Sequence, residues 1–238
     1  MKKDLRKAMA MIELIFAIVI MGIVMMSAPM LISTAAKSGY VGIQQEGINE
    51  AATQLNMILS YHWDENNTDE EYIDTLLTVA AGDSDLDKNT TTQRREGTPL
   101  ESWRTYIRED GNHDLNASFA TTFGAGNDAG ESATDRDDID DFHLTSTSLV
   151  VIANTDVDYA DTVEINTSVS YIDDNASYMS SSLDFDPDYS SAPTGSTNIK
   201  HIKVTLTSTS GIDELDKTIV LHAFSCNIGA YQFESREK

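Results

Sequence analysis

Apolar and polar positions divide this chain into segments of different period. From Leu14 to Ile32 no residue is charged, and at the helical rise of about 1.5 Å per residue this run reaches about 30 Å, the thickness of a bilayer core. Beyond it, Val41, Ile48, Ala52, Leu55 and Leu59 recur at spacings of seven, four, three and four, which predicts a helix with one apolar side. The two stretches merge into one helix from about Met9 to about Ser60, apolar all round at first and amphipathic later. Pro29, Gly22, Gly39, Gly42 and Gly47 predict a bend and local melting within it.

The segment "TDEEYIDTLLTVA", residues 68–80, predicts a short second helix. Thr68 and Glu71 have capping-box spacing, and Tyr72, Leu76 and Val79 share a face. Residues 82–141 lack apolar periodicity and are rich in Asp, Gly, Thr and Asn; they predict long loops with anchors at Trp103, Tyr106 and Ile107. Four β-branched, mostly alternating runs follow, at 147–153, 162–172, 199–208 and 217–226. In the third, Ile202, Val204 and Leu206 share one face, and His201, Lys203 and Thr205 the other. The polar, glycine-containing residues 209–216 predict an antiparallel hairpin between the last two runs. A sheet needs a cover for its apolar face, and the amphipathic half of the first helix supplies one. The expected class is α+β, a long N-terminal helix packed on an antiparallel sheet.

Charge adds direction. The 238 residues carry a formal charge of -23, with 39 acidic against 16 basic side chains. Nucleic acid is not an expected partner, because phosphate binding needs a basic patch. Lys2, Lys3, Arg6 and Lys7 precede the apolar run, opposed only by Asp4, so the positive-inside rule predicts one membrane pass with a cytoplasmic N-terminus and an exported acidic bulk. Cys226 is the only cysteine, so stability rests on packing rather than on an intramolecular disulfide; its expected role is that of a small buried strand residue.

One acidic residue, Glu13, stands at the edge of the apolar run, where an unpaired carboxylate is costly. The stretch "KAMAMIELIFAIVIMGI" around it resembles the N-terminal cleavage and methylation segment of type IV pilins and type II secretion pseudopilins. In that family a dedicated peptidase removes a short basic leader and methylates the new N-terminal amine. Carried onto this chain, the resemblance implies a leader of residues 1–8, a cut between Ala8 and Met9, and a methylated Met9. Ala8 stands where glycine is usual and Met9 where phenylalanine is usual. It further implies that Glu13 pairs with the N-terminal amine of a neighbouring subunit, since a carboxylate and an ammonium meeting in low dielectric relieve each other's desolvation cost.

The resemblance thus implies a pilin-like fold: residues 9–32 as the transmembrane and filament-core helix, 33–62 as its amphipathic half, and 63–238 as an exported head with long acidic loops. "DRDDIDDFH" (135–143), "NIKHIKVTLT" and "KTIVLHAFSCNIG" look like minor pilins of the mannose-sensitive haemagglutinin type and like minor type II pseudopilins. Implied partners are other pilin or pseudopilin subunits, the prepilin peptidase and methylase, the inner-membrane assembly machinery and the membrane itself. The implied location is the bacterial inner membrane, with a periplasmic head, and then a pilus or pseudopilus filament.

Other chemistry is sparse. Runs from Asp83, Asp110 and Asp184 place aspartates at early EF-hand positions but lack the turn glycine and closing glutamate. An irregular calcium loop at Asp184, Asp186 and Asp188, or along Asp135 to Asp141, is weighed against a solvated acidic loop. The five histidines lack helical zinc spacing, although His201 and His222 are expected to be neighbours across the hairpin. No nucleophile elbow, phosphate loop or dinucleotide fingerprint occurs, and no enzymatic activity is expected. The competing reading is a signal-anchored periplasmic enzyme or binding protein that uses the helix as a tether.

Overall fold

A computed structural model describes residues 2–67, 76–92, 94–98, 115–127, 132, 134–152, 160–208 and 215–229. Helix α1 (Lys2–Ile58) runs unbroken through Pro29, so the expected melting is absent. An apolar segment has no solvent-facing polar groups to take over backbone hydrogen bonds, which favours keeping the remaining ones intact. Four strands follow: β1 (Thr145–Ile152), β2 (Ala160–Tyr171), β3 (Ile199–Ser208) and β4 (Ile219–Cys226). They form one antiparallel sheet in the order β1-β2-β3-β4. The class is α+β, and each strand lies within two residues of its expected bounds at both ends.

The C-terminal part of α1 covers the sheet by packing on β3 and β4. Its buried stripe is Ile43, Gly47, Ala51 and Ile58; of the expected stripe Ile48 and Leu55 pack at its margin, whereas Val41 is 64% exposed and Leu59 38% exposed. Backbone proximity decides the difference. Gly47 and Ala51 let the helix approach closely, and a Cβ at Gly47 would stand 3.2 Å from Leu206 Cδ2 and 3.7 Å from Val163 Cγ1. Gly47→Val is therefore expected to lower head stability by about 1–3 kcal/mol through overpacking. Gly42→Val, with nothing within 4 Å, should not lower it; thermal unfolding in detergent compares the two.

Beneath α1 the core joins Val163, Ile165, Val169 and Tyr171 of β2 to Ile202, Val204 and Leu206 of β3. Phe123, Ile139, Phe142 and Trp63 from the connecting segments complete it. The expected anchors Trp103, Tyr106 and Ile107 lie outside the described residues, as does the expected second helix from 68 to 75. Its described remainder is not helical: Thr78 forms a parallel bridge with Asn116, and Asn227 Nδ2 donates to Leu77 O at 2.8 Å while its Oδ1 accepts from Leu77 N. The backbone of Leu77 thus pairs outward with a buried amide, which a helix would not permit.

Candidate functional site

Two regions carry chemistry: the free half of α1, and a buried ionic cluster at the end of the sheet.

Every residue from Met11 to Gly39 is exposed, including Ile15, Phe16, Ile18, Ile23 and Leu31 at 56–68%. At about 1.5 Å per residue this is an apolar rod of about 40 Å projecting from the head. Among the described residues, one helix is long and apolar enough to cross a membrane, and its most apolar window makes no burying contact. Ala8, Met9 and Glu13 all lie on this rod's helix, Glu13 one turn after Met9 and itself exposed. Nothing within the subunit meets the Glu13 carboxylate closely enough to bond it, among the described residues.

The second region is built by two turns that cap themselves with aspartates. Asp138 Oδ1 accepts from the amides of Asp140 at 2.8 Å and Asp141 at 3.1 Å, and Asp141 Oδ2 accepts from Asp137 N at 3.0 Å. This shapes the single 3-10 turn Asp140–Phe142. Asp64 does the same for the turn Glu65–Asn67, taking Asn66 N at 3.3 Å, and holds Ser118 through its amide at 2.9 Å and hydroxyl at 3.1 Å. The two turns are tied by Ile139 N donating to His62 O at 3.0 Å. The acidic run 135–141 is thus not the solvated loop expected of it: Asp138, Asp140 and Asp141 are buried.

Between the turns sits Lys200, which is 0% exposed. Its Nζ lies 2.9 Å from Asp64 Oδ2 and 2.9 Å from Asp140 Oδ2, and donates to Trp63 O at 2.7 Å. Trp63, Phe123 and Tyr171 surround it, with ring centroids 4.6, 5.1 and 5.8 Å from Nζ. Burial alone would depress this ammonium, but the carboxylates of Asp64, Asp140 and Asp138 outweigh it and raise its pKa.

Asp138 is pushed up to about 11 by burial, by its hydrogen bond to Asp140 and by the charge of Asp140. Asp138 Oδ2 and Asp140 Oδ1 are buried and meet no hydrogen-bond donor, and burial of this kind favours the protonated form of a carboxyl group.

Sequence reasoning missed Lys200, although a signal was present. In "IKHIKVTLTS" Lys200 has the same parity as Ile202, Val204 and Leu206, and so points to the core. A lysine at a core-facing strand position demands buried carboxylates, and the acidic runs supply them.

On the opposite face of the sheet, His201 Nε2 and His222 Nδ1 lie 2.8 Å apart, and Tyr189 packs against both rings, tilted on His201 at 4.5 Å and stacked on His222 at 4.8 Å. The expected neighbourhood of these histidines is correct. Burial, the adjacent His222 and Lys203 lower His201 to about 4. Since the unfolded chain takes up this proton near the ordinary value of 6.5, the His201 contribution to stability is present above that pH and is lost as pH falls from about 6.5 to about 4. Melting followed across this range should drop more steeply for the native chain than for His201→Gln.

Asp184, Asp186 and Asp188 are exposed, and Asp188 is lowered by hydrogen bonds from the Ser190 hydroxyl and amide. No group of three or more His, Cys, Asp or Glu is positioned to hold a metal ion among the described residues, so these aspartates are not gathered into a ligand set. Cys226 ends β4 half-buried, and burial raises its thiol, which makes it a poor nucleophile.

The chemistry available is thus an apolar rod with one carboxylate, and a dry site holding an amine against carboxyl groups. Comparison with protein-family models, with curated proteins and with solved structures gives no match.

Proposed function

We propose that the chain is a structural subunit, of the minor kind, of a type IV pilus or type II secretion pseudopilus. In this reading a prepilin peptidase cuts between Ala8 and Met9, Met9 is methylated, and the exposed half of α1 passes from the inner membrane into the core of a helical filament. The supporting observation is the rod from Met11 to Gly39. A helix that only tethers a domain needs about 20 apolar residues and no acidic one. This helix carries Glu13 at its start and, beyond its uncharged stretch, continues rigidly into the head core through Ile43, Ala51 and Ile58, so that a force on the rod is transmitted to the sheet.

Glu13 also gives the reading its register. Packing apolar helices side by side leaves their axial stagger weakly specified, whereas one carboxylate that must meet one amine fixes it. The exported head then lies on the filament surface, where its acidic loops face solvent or a partner.

Processing is the first test. Co-expression with a prepilin peptidase is expected to remove eight residues from the native chain, and Ala8→Leu is expected to block the cut by enlarging the residue before it. A native chain that keeps its N-terminus in the presence of active peptidase, one shown to cut a control prepilin, contradicts the reading and favours a signal-anchored periplasmic protein.

A further inference from the structure

We propose that Lys200 and Asp64 are joined by an intramolecular amide bond, formed by the folded chain itself with the loss of one water. The inference stands on the head alone and does not depend on filament assembly.

Four features of the site point to this condensation. The reacting groups are in contact: Lys200 Nζ is 2.9 Å from Asp64 Oδ2, so the carboxyl carbon lies one bond beyond the touching oxygen. Holding two reactants in place in this way replaces a dilute encounter by an effectively unimolecular step. The site is also dry, with Lys200 and Asp64 both 0% exposed and three aromatic rings around the amine. Two charges kept from water carry a desolvation penalty that a neutral amide does not, so the dryness that strains the ion pair favours its condensation.

The acceptor is prepared as well. Asp64 Oδ1 takes hydrogen bonds from the Ser118 hydroxyl at 3.1 Å and from Asn66 N at 3.3 Å. These donors are aimed where negative charge develops when the carbon becomes tetrahedral. Finally, a proton carrier touches the amine. Asp140 Oδ2 is 2.9 Å from Nζ, while its Oδ1, on a residue 1% exposed, meets no hydrogen-bond donor and is open to a proton.

The step balances from the ion pair. The Lys200 ammonium gives one proton directly to Asp64 Oδ2, 2.9 Å away, leaving a neutral amine beside a neutral carboxylic acid. Nζ attacks Cγ of Asp64, and the developing oxyanion on Oδ1 rests on Ser118 and Asn66. Asp140 then takes the second proton from nitrogen and gives it to the departing oxygen, Oδ2. One C–N bond forms and one C–O bond breaks. Two ammonium protons and one carboxylate oxygen leave as water, the third proton stays on the amide nitrogen, and no oxidant, reductant or cofactor is needed. Asp140 is the catalytic residue because it touches the amine; Asp138 is a positioning residue that acts through it.

Such a bond would tie the start of β3 to the turn Glu65–Asn67 that follows α1, in a chain whose single cysteine cannot close an intramolecular disulfide. The test is mass spectrometry of the full chain, purified in detergent and digested with pepsin. The expected result is a branched peptide containing Lys200 and Asp64, lighter by one water than the sum of its two linear parts. In Asp140→Asn the linked peptide should disappear while near-ultraviolet circular dichroism shows a folded head. Recovery of Lys200 and Asp64 only in separate, unmodified peptides from the native chain overturns the proposal, whatever the variant does. A link from Lys200 to Asp140 overturns the assignment of Asp64 as acceptor.

Discussion

Lys200→Met is expected to destabilise the head by at least about 3–5 kcal/mol, the cost of leaving buried carboxylates without their cation. Lys200 is fully buried, and both Asp64 and Asp140 direct an oxygen to its amine at 2.9 Å. Methionine fills similar space between Trp63, Phe123 and Tyr171 but supplies no donor to Trp63 O or to either aspartate. The loss holds for both states of the contact: an ion pair leaves two unpaired carboxylates, and an amide additionally loses its covalent tie. At about 2–4 °C per kcal/mol for a domain of this size, the melting temperature should fall by about 6–20 °C. Because the damage is electrostatic rather than steric, Asp64→Asn and Asp140→Asn added to Lys200→Met should recover part of the loss. A Lys200→Met chain within about 1 kcal/mol of the native one, measured by urea unfolding, would show that the cluster does not hold the two turns together.

Glu13→Ala is expected to abolish incorporation into filaments while leaving membrane insertion and head folding intact. In the proposed filament, removing the carboxylate would strand a neighbouring subunit's N-terminal amine in an apolar helix bundle, at a cost of about 3–5 kcal/mol. Each 1.4 kcal/mol is tenfold, so subunit association should weaken by a factor of about 100 or more. Head stability should not change, because Glu13 is exposed and the first residue of α1 to touch the head is Tyr40, about 40 Å away along the helix. Filament yield from cells carrying the variant, set beside urea unfolding of its head, separates the two effects. Equal incorporation of native and variant chains would remove Glu13 from the assembly mechanism.

How much of this was legible in the sequence depends on which signal each element uses. The strands were readable because β2 and β3 alternate apolar and polar residues with one face buried, and burial fixes both period and register; β4, half-buried on one face, was readable from its β-branched start and the polar turn before it. The long helix was readable from its uncharged run. Its contact stripe was legible in part: Ile48 and Leu55 do pack against the core, but the centre of the stripe lies at Gly47 and Ala51, which contribute little apolar surface yet allow the closest approach, and a scan for large apolar residues passes over them. The helix expected at 68–80 failed over its described part, since capping-box spacing is a local preference and the pairing of Leu77 with Asn227 is a contact across 150 residues.

The buried cluster was the largest omission. A run such as "DRDDIDDFH" reads as solvated by composition, whereas Asp138 and Asp141 spend their oxygens on the backbone of their own turn. Short-range self-capping lets a densely acidic segment enter a core. Only Lys200, at a core-facing position of β3, marks in advance where such a segment is needed. The residues proposed for processing and assembly differ: Ala8, Met9 and Glu13 are legible only as a motif, and the one whose side chain is described, Glu13, is exposed on the helix.

The most direct test of the central claim is the N-terminal peptide of this chain in sheared surface filaments from its native cells. The account predicts a peptide beginning at N-methylated Met9, recovered in the filament fraction. A chain that still begins at Met1 and remains wholly in the membrane fraction would contradict it.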